Sequence, residues 1–164
     1  MSKKTVDILL QFSYNENRIK KLYLLYARAF PEQKKDWEKL AAEEKKHAAA
    51  LLELSEKFDT QDSFIKVSPY ALKILNYTRR FLDSQIMRIE KRKINSQQAI
   101  VVAIRLELSM LDKKSFDIFT PASEEIKIVL ARLNRETKEH ATRLQRMLSQ
   151  ITTDSVHEFS EVEA

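Results

Sequence analysis

No glycine occurs anywhere in this 164-residue chain, and that absence narrows the fold more than any residue present. Tight β-hairpins place residues at positive φ, a conformation that glycine takes without steric cost. A glycine-free chain of this length is therefore expected to be helical. Three prolines, Pro31, Pro69 and Pro121, act as punctuation. Each follows one apolar-periodic segment and precedes another, and proline fits the first turn of a helix, where its missing N–H has no partner. Ser68 and Thr120 stand before two of them as N-caps, and Asn95-Ser96-Gln97-Gln98 has the spacing of a capping box. These signals predict helices over 4–29, 31–58, 69–92, 96–119 and 121–150, with a polar connection at 59–68. The sharp joints make the first and last pairs antiparallel. The 69–92 helix lies in a long crossover that returns the chain across an all-α, antiparallel four-helix bundle. Residues 1–151 form this bundle, and 152–164 are expected to be a loose acidic tail.

The core-facing seams carry the functional signal. The first helix shows Leu9, Phe12, Glu16, Ile19, Tyr23, Tyr26 and Phe30 at 3–4 spacing. The second shows Trp37, Leu40, Glu44, His47, Leu51 and Leu54, and the last Leu130, Leu133, Thr137, His140, Leu144 and Met147. Each seam is apolar at both ends and polar in its middle. In the 96–119 helix two stripes compete: Ile100, Ala103, Glu107 and Met110, or Ile104, Leu108 and Leu111. The second would leave Glu107 at the edge of the core.

A carboxylate on a buried seam is costly unless it is paired, protonated or bound to a metal. Antiparallel packing brings Glu16, Glu44, His47, His140 and Glu107 to one level. Carboxylate oxygens with imidazole nitrogens suit Fe(II), Mn(II) or Zn(II). The chain has no cysteine, which removes thiolate metal sites, iron–sulfur centres and cysteine nucleophiles. Tyr23 and Tyr26 are expected to pack in the core, with a hydrogen bond to a ligand carboxylate as the alternative. Glu43 and Glu139 are expected in solvent.

These residues resemble the rubrerythrin branch of the ferritin-like superfamily. Glu16 and Glu107 match the single Glu of its first and third helices. Glu44-Lys-Lys-His47, within Leu40-Ala-Ala-Glu-Glu-Lys-Lys-His-Ala48, matches its first Glu-x-x-His motif. The halves read as an internal repeat, with 31 positions from Glu16 to His47 and 33 from Glu107 to His140. The resemblance spans roughly residues 5–150 and departs in three places. Thr137 stands three before His140 where the motif has Glu, and Glu136, about 100° off the seam, is the candidate substitute. Met110 stands where many rubrerythrins carry a further Glu. The cysteine-bound iron domain that the family appends has no counterpart in this sequence.

The resemblance implies a non-haem protein binding one or two iron ions (alternatively manganese or zinc) and acting in iron or peroxide handling as an oxidoreductase. It also implies a homodimer. The motif set supplies one carboxylate fewer than the family pattern, so weak or single-ion occupancy is expected. The alternative is a metal-free helical scaffold or interaction module on the same fold.

Charge bears on partners. Of the 24 acidic residues, Asp154, Glu158, Glu161 and Glu163 fall in 152–164, which holds no Lys or Arg; the formal +5 of the chain is therefore +9 before residue 152. Arg79, Arg80, Arg88, Lys91, Arg92 and Lys93 concentrate part of that excess, a stripe that reads first as a solvated helix face and alternatively as a surface for phosphates or an acidic partner. Nucleic acid is not expected as a partner, since no aromatic residue or turn motif organises the stripe. Nor is a membrane, since no run approaches the roughly 20 apolar residues a spanning helix needs. With no leader-like N-terminus, a cytoplasmic location is the expectation. No phosphate loop, zinc finger or nucleophile triad is present.

Overall fold

The computed structural model describes residues 3–60, 66–67, 71–112, 119–120 and 124–161. It is all-α in character, with five helices: α1 (Lys3–Ala29), α2 (Lys34–Thr60), α3 (Ala71–Glu90), α4 (Ser96–Asp112) and α5 (Glu124–Glu161). No helix among the described residues is long and apolar enough to cross a membrane.

The joints follow local chemistry. Phe30 leaves the helical region (φ −125°, ψ 82°), and Pro31–Gln33 form a single 3₁₀ turn, so α2 proper starts at Lys34 rather than at residue 31. Helix α3 closes on a Schellman motif: Lys93 N donates to Arg88 O and Arg92 N to Ile89 O, both at 2.9 Å. Arg92 takes the left-handed position at φ 51°, where glycine would ordinarily stand. The capping box then starts α4. Gln98 N donates to Asn95 Oδ1 at 2.8 Å, and Asn95 N to Gln98 Oε1 at 3.2 Å.

Two further boundaries differ from expectation. Helix α4 is described to Asp112, and Phe119–Thr120, expected at or just past its end, instead pair antiparallel with Lys66–Val67 (Lys66 opposite Thr120, Val67 opposite Phe119). The glycine argument excludes tight hairpins. It does not reach a two-residue pairing between distant segments, which needs no positive φ and here uses β-favouring Val, Phe and Thr. Thr120 therefore lies in this pairing, and α5 is described from Glu124. Helix α5 also continues to Glu161, through most of the stretch read as a loose tail. Neither glycine nor proline follows Pro121, so nothing in the backbone stops the helix, and polar composition marks only its solubility. Ser68, Pro69 and Pro121 lie outside the described residues.

Helices α1 and α2 run antiparallel. Ser13 Oγ donates to Ala48 O at 2.8 Å, and Tyr23 and Tyr26 lie 5.4 and 5.0 Å from Trp37 between ring centroids. Helix α3 runs parallel to α1, joined by Asn15 Nδ2 donating to Leu75 O at 3.2 Å, by an Arg18–Asp83 ion pair, and by Lys21–Glu90 at 3.7 Å. Helix α4 packs on α5, and α5 lies antiparallel along α2, where Glu43 meets Arg143 and His47 meets Glu136.

The apolar interior is divided. One cluster holds Tyr23, Tyr26, Trp37, Leu82, Ile100 and Leu144; the other holds Ile8, Phe12, Leu51, Leu75, Leu130 and Leu133. Each large side chain fully buried in these clusters contributes about 1.5–3 kcal/mol. Between them lies a buried polar level of Glu16, Glu44, His47, Glu107, Thr137 and His140.

Candidate metal centre

The seams deliver their polar residues to one place because each helix turns the same stripe inward. Glu16 (α1), Glu44 and His47 (α2), Glu107 (α4) and His140 (α5) are all 3% exposed or less. In α4 the stripe carrying Glu107 faces inward. Ile100 and Ala103 are fully buried, whereas Leu108 on the competing stripe is 38% exposed. The more hydrophobic stripe yields because Leu106, Val102 and Ala99 share the inward face with Glu107.

The two imidazoles stack at 5.2 Å between centroids with 12° between planes. Their Nδ1 atoms face inward. His47 Nδ1 lies 3.1 Å from Glu44 Oε2; His140 Nδ1 lies 2.6 Å from Glu44 Oε1 and 3.7 Å from Glu107 Oε1. Their Nε2 atoms face outward, each to a carboxylate on the opposite helix: His47 to Glu136 at 2.9 Å, His140 to Glu43 at 3.1 Å. Arg143 closes the outer side with a bidentate ion pair to Glu43. On the other side the Tyr23 hydroxyl donates to Glu107 Oε1 at 2.5 Å, so Tyr23 both packs in the core and holds a carboxylate.

Electrostatics follow from this arrangement. Burial, and then the charge of Glu44, hold Glu16 well above the ordinary carboxylate range, and the two carboxyl groups share a hydrogen bond. Burial alone would also raise Glu44, but hydrogen bonds and charge from His140 and His47 outweigh it and hold Glu44 well below its ordinary value. Burial opposes protonation of both imidazoles. The Glu107 and Glu44 carboxylates nevertheless raise His140 to about 10, and Glu44 raises His47. Burial and Glu44 raise Glu107, with His140 and Tyr23 pulling the other way. Tyr23 is itself raised well above its ordinary value by burial and by Glu107, which keeps its donated proton in place.

Glu44, His47 and His140 could hold a metal ion: each offers one donor atom, and these atoms lie within 4.8 Å of one another. Two donors at about 2.1 Å from one ion are at most about 4.2 Å apart, so small side-chain adjustments would close the set. Glu44 Oε1 and His140 Nδ1 are buried and face each other at 2.6 Å. Loss of the His140 proton would free both atoms for a common third atom. Each outer nitrogen is already held by a carboxylate, which fixes the inner nitrogen as the donor.

Of the six residues picked out by sequence, five converge here. Glu136 also reaches the cluster, at 34% side-chain exposure, but it meets the outer nitrogen of His47 rather than the inward face. Thr137 is buried, and its hydroxyl donates to Leu133 O of its own helix at 2.9 Å. The residue missed is Glu43, read as solvated because it sits one position off the seam. Its signal was the matching offset of Glu136, since each acid immediately precedes a seam position of the internal repeat (Glu44 or Thr137). No family model, curated protein or solved structure matches the chain.

Proposed function

We propose that this chain is a ferritin-like, rubrerythrin-type metal-carboxylate protein that binds iron, or alternatively manganese or zinc, and acts in iron or peroxide handling. One observation carries the reading: both histidines turn Nδ1 onto Glu44 while carboxylates from opposite helices hold both Nε2 atoms. Glu44, His47 and His140 would be the ligands, with Glu107 and Glu16 adjoining as further oxygens. When bound, iron supplies one-electron exchange with dioxygen or peroxide. The chain binds and orients. Glu43 and Glu136 fix the imidazole rings, Tyr23 holds Glu107, and the two apolar clusters exclude water above and below.

The four helices α1, α2, α4 and α5, with α3 as the returning crossover, fit a ferritin-like bundle. The same reading includes a homodimer, a cytoplasmic setting and an acidic partner for the basic residues of α3 and its C-terminal turn. Thr137 leaves the second Glu-x-x-His position without its carboxylate, so occupancy is expected at one ion per chain, or weakly at two. Element-resolved metal analysis of aerobically purified protein tests this, and two tightly bound ions per chain would refute it.

A metal-free scaffold has one observation in its favour: His140 and His47 already pair directly with Glu44, at 2.6 and 3.1 Å, without an ion. Chelation separates the two. A ligand held at about 100 times its dissociation constant contributes about 2.7 kcal/mol, so a metal protein should lose several degrees of Tm on chelation and a scaffold none. Thr137→Glu supplies the missing carboxylate and should raise metal affinity or stoichiometry; destabilisation with no gain in metal would favour the scaffold.

A further inference from the structure

A groove of about 500 Å³ opens between α2 and α5, outside the buried cluster. Lys39 and Glu43 form one wall, and Arg135, Lys138, Arg143 and Arg146 stand on the other. Its two nearest carboxylates are engaged. Glu43 holds Arg143 and His140, and Glu139 lies 3.8 Å from Arg135. Among the described residues no carboxylate pairs with Lys39, Lys138 or Arg146. Folding thus gathers three cations without a carboxylate partner around one concavity, a local positive field that favours a bound anion.

The helix register sets the shape of that anion. Glu43 beside Arg143, with α2 and α5 antiparallel, puts Lys39 one turn before Glu43 and so across from Arg146, one turn beyond Arg143. From Lys138 to Arg146 is about 12 Å along α5, longer than one phosphate group bridges and suited to two or three linked ones. Arginine forks match phosphate oxygens in pairs.

We propose that this groove binds a polyphosphate-type anion, held by Lys39 from α2 and by Lys138 and Arg146 from α5. The site is independent of whether the buried cluster takes a metal. The test is calorimetric titration of the full chain with sodium tripolyphosphate, in parallel with ATP and orthophosphate, at fixed ionic strength set with potassium chloride. Two charge-reversed double variants are compared, K39E/R146E in the groove and K91E/K93E at the end of α3. Both keep the buried cluster intact, so any stripping of metal by phosphate affects them equally.

The expected result is one saturable site for tripolyphosphate, weakened at least ~10-fold in K39E/R146E, the loss of one charged hydrogen bond or more. Binding should persist in K91E/K93E, with orthophosphate weaker than tripolyphosphate. ATP tighter than tripolyphosphate would assign the site to nucleoside-borne phosphates, and ATP no tighter would assign it to free polyphosphate. Equal losses in both variants would reduce the effect to net charge and overturn the proposal. So would tighter binding of an acidic peptide than of tripolyphosphate.

Discussion

At the scale of single residues, Glu43 and Glu136 have the most to reveal, since neither stands on a seam and both touch a histidine. If they fix the imidazoles, Glu43→Gln and Glu136→Gln should each weaken metal binding by about 10–100-fold, read by competition with a chromophoric chelator. Glu139→Gln, on an exposed residue of the same helix, should leave affinity unchanged. Acid–base behaviour of the metal-free protein gives a second test. His140 is raised from 6.5 to about 10, so its stabilisation is complete below pH 6.5 and is lost as pH rises through 10. Glu16, raised above 4.5, adds to the loss on the alkaline side. Glu44 is lowered below 4.5, so its contribution is present above that value and drains away as pH falls through its folded value. The chelated protein should therefore have its highest Tm between about pH 4.5 and 6.5, and a Tm still rising from pH 7 to 9 would contradict the buried pairing. Metal affinity should run the other way, increasing with pH as ligation displaces protons from the imidazoles. Glu16, Glu44, His47, Glu107 and His140 were legible in the sequence because a polar residue mid-seam has few inexpensive explanations. Glu43 was not, because an offset of 100° reads as solvent and a pattern of Cα positions does not show how far a glutamate reaches.

Among the elements, the helices were legible and their ends much less so. Apolar periodicity identified all five because a chain without glycine leaves 3.6-residue repeats uninterrupted. The capping box at Asn95 placed the start of α4 to the residue. Stops are harder to read. Helix α4 gives way before Phe119 with no breaker to announce it, and α5 runs to Glu161 because none intervenes. The end of α3 shows what a missing glycine costs. Arg92 sits at φ 51°, a conformation costing L-residues roughly 1–2 kcal/mol. Because Arg92 lies outside both apolar clusters, Arg92→Gly should stabilise the protein by about 1 kcal/mol in urea denaturation, with the slope of the transition unchanged. A loss of stability would mean that the arginine side chain contributes more than its backbone strain costs.

For the molecule as a whole, the sequence foretold an all-helical chain with a polar level inside it. It could not foretell the groove between α2 and α5, because that surface depends on which faces of two distant helices come to lie side by side. The interior is where the whole behaves differently from its parts. Trp37, Tyr23, Tyr26, Ile100 and Leu144 are packed on one side of the Glu–His level, and Ile8, Phe12, Leu51, Leu75 and Leu130 on the other, with α1, α2, α3 and α5 threading both. Amide hydrogen exchange under native conditions should then resolve two cooperative units rather than one, the smaller opening at a lower free energy, with their boundary near residues 16, 44 and 137. A cross-brace at that level, whether an ion or the histidine–carboxylate pairs alone, would govern how far an opening at one end travels toward the other. The same few side chains that make the interior chemically capable would then also set the grain along which the molecule comes apart.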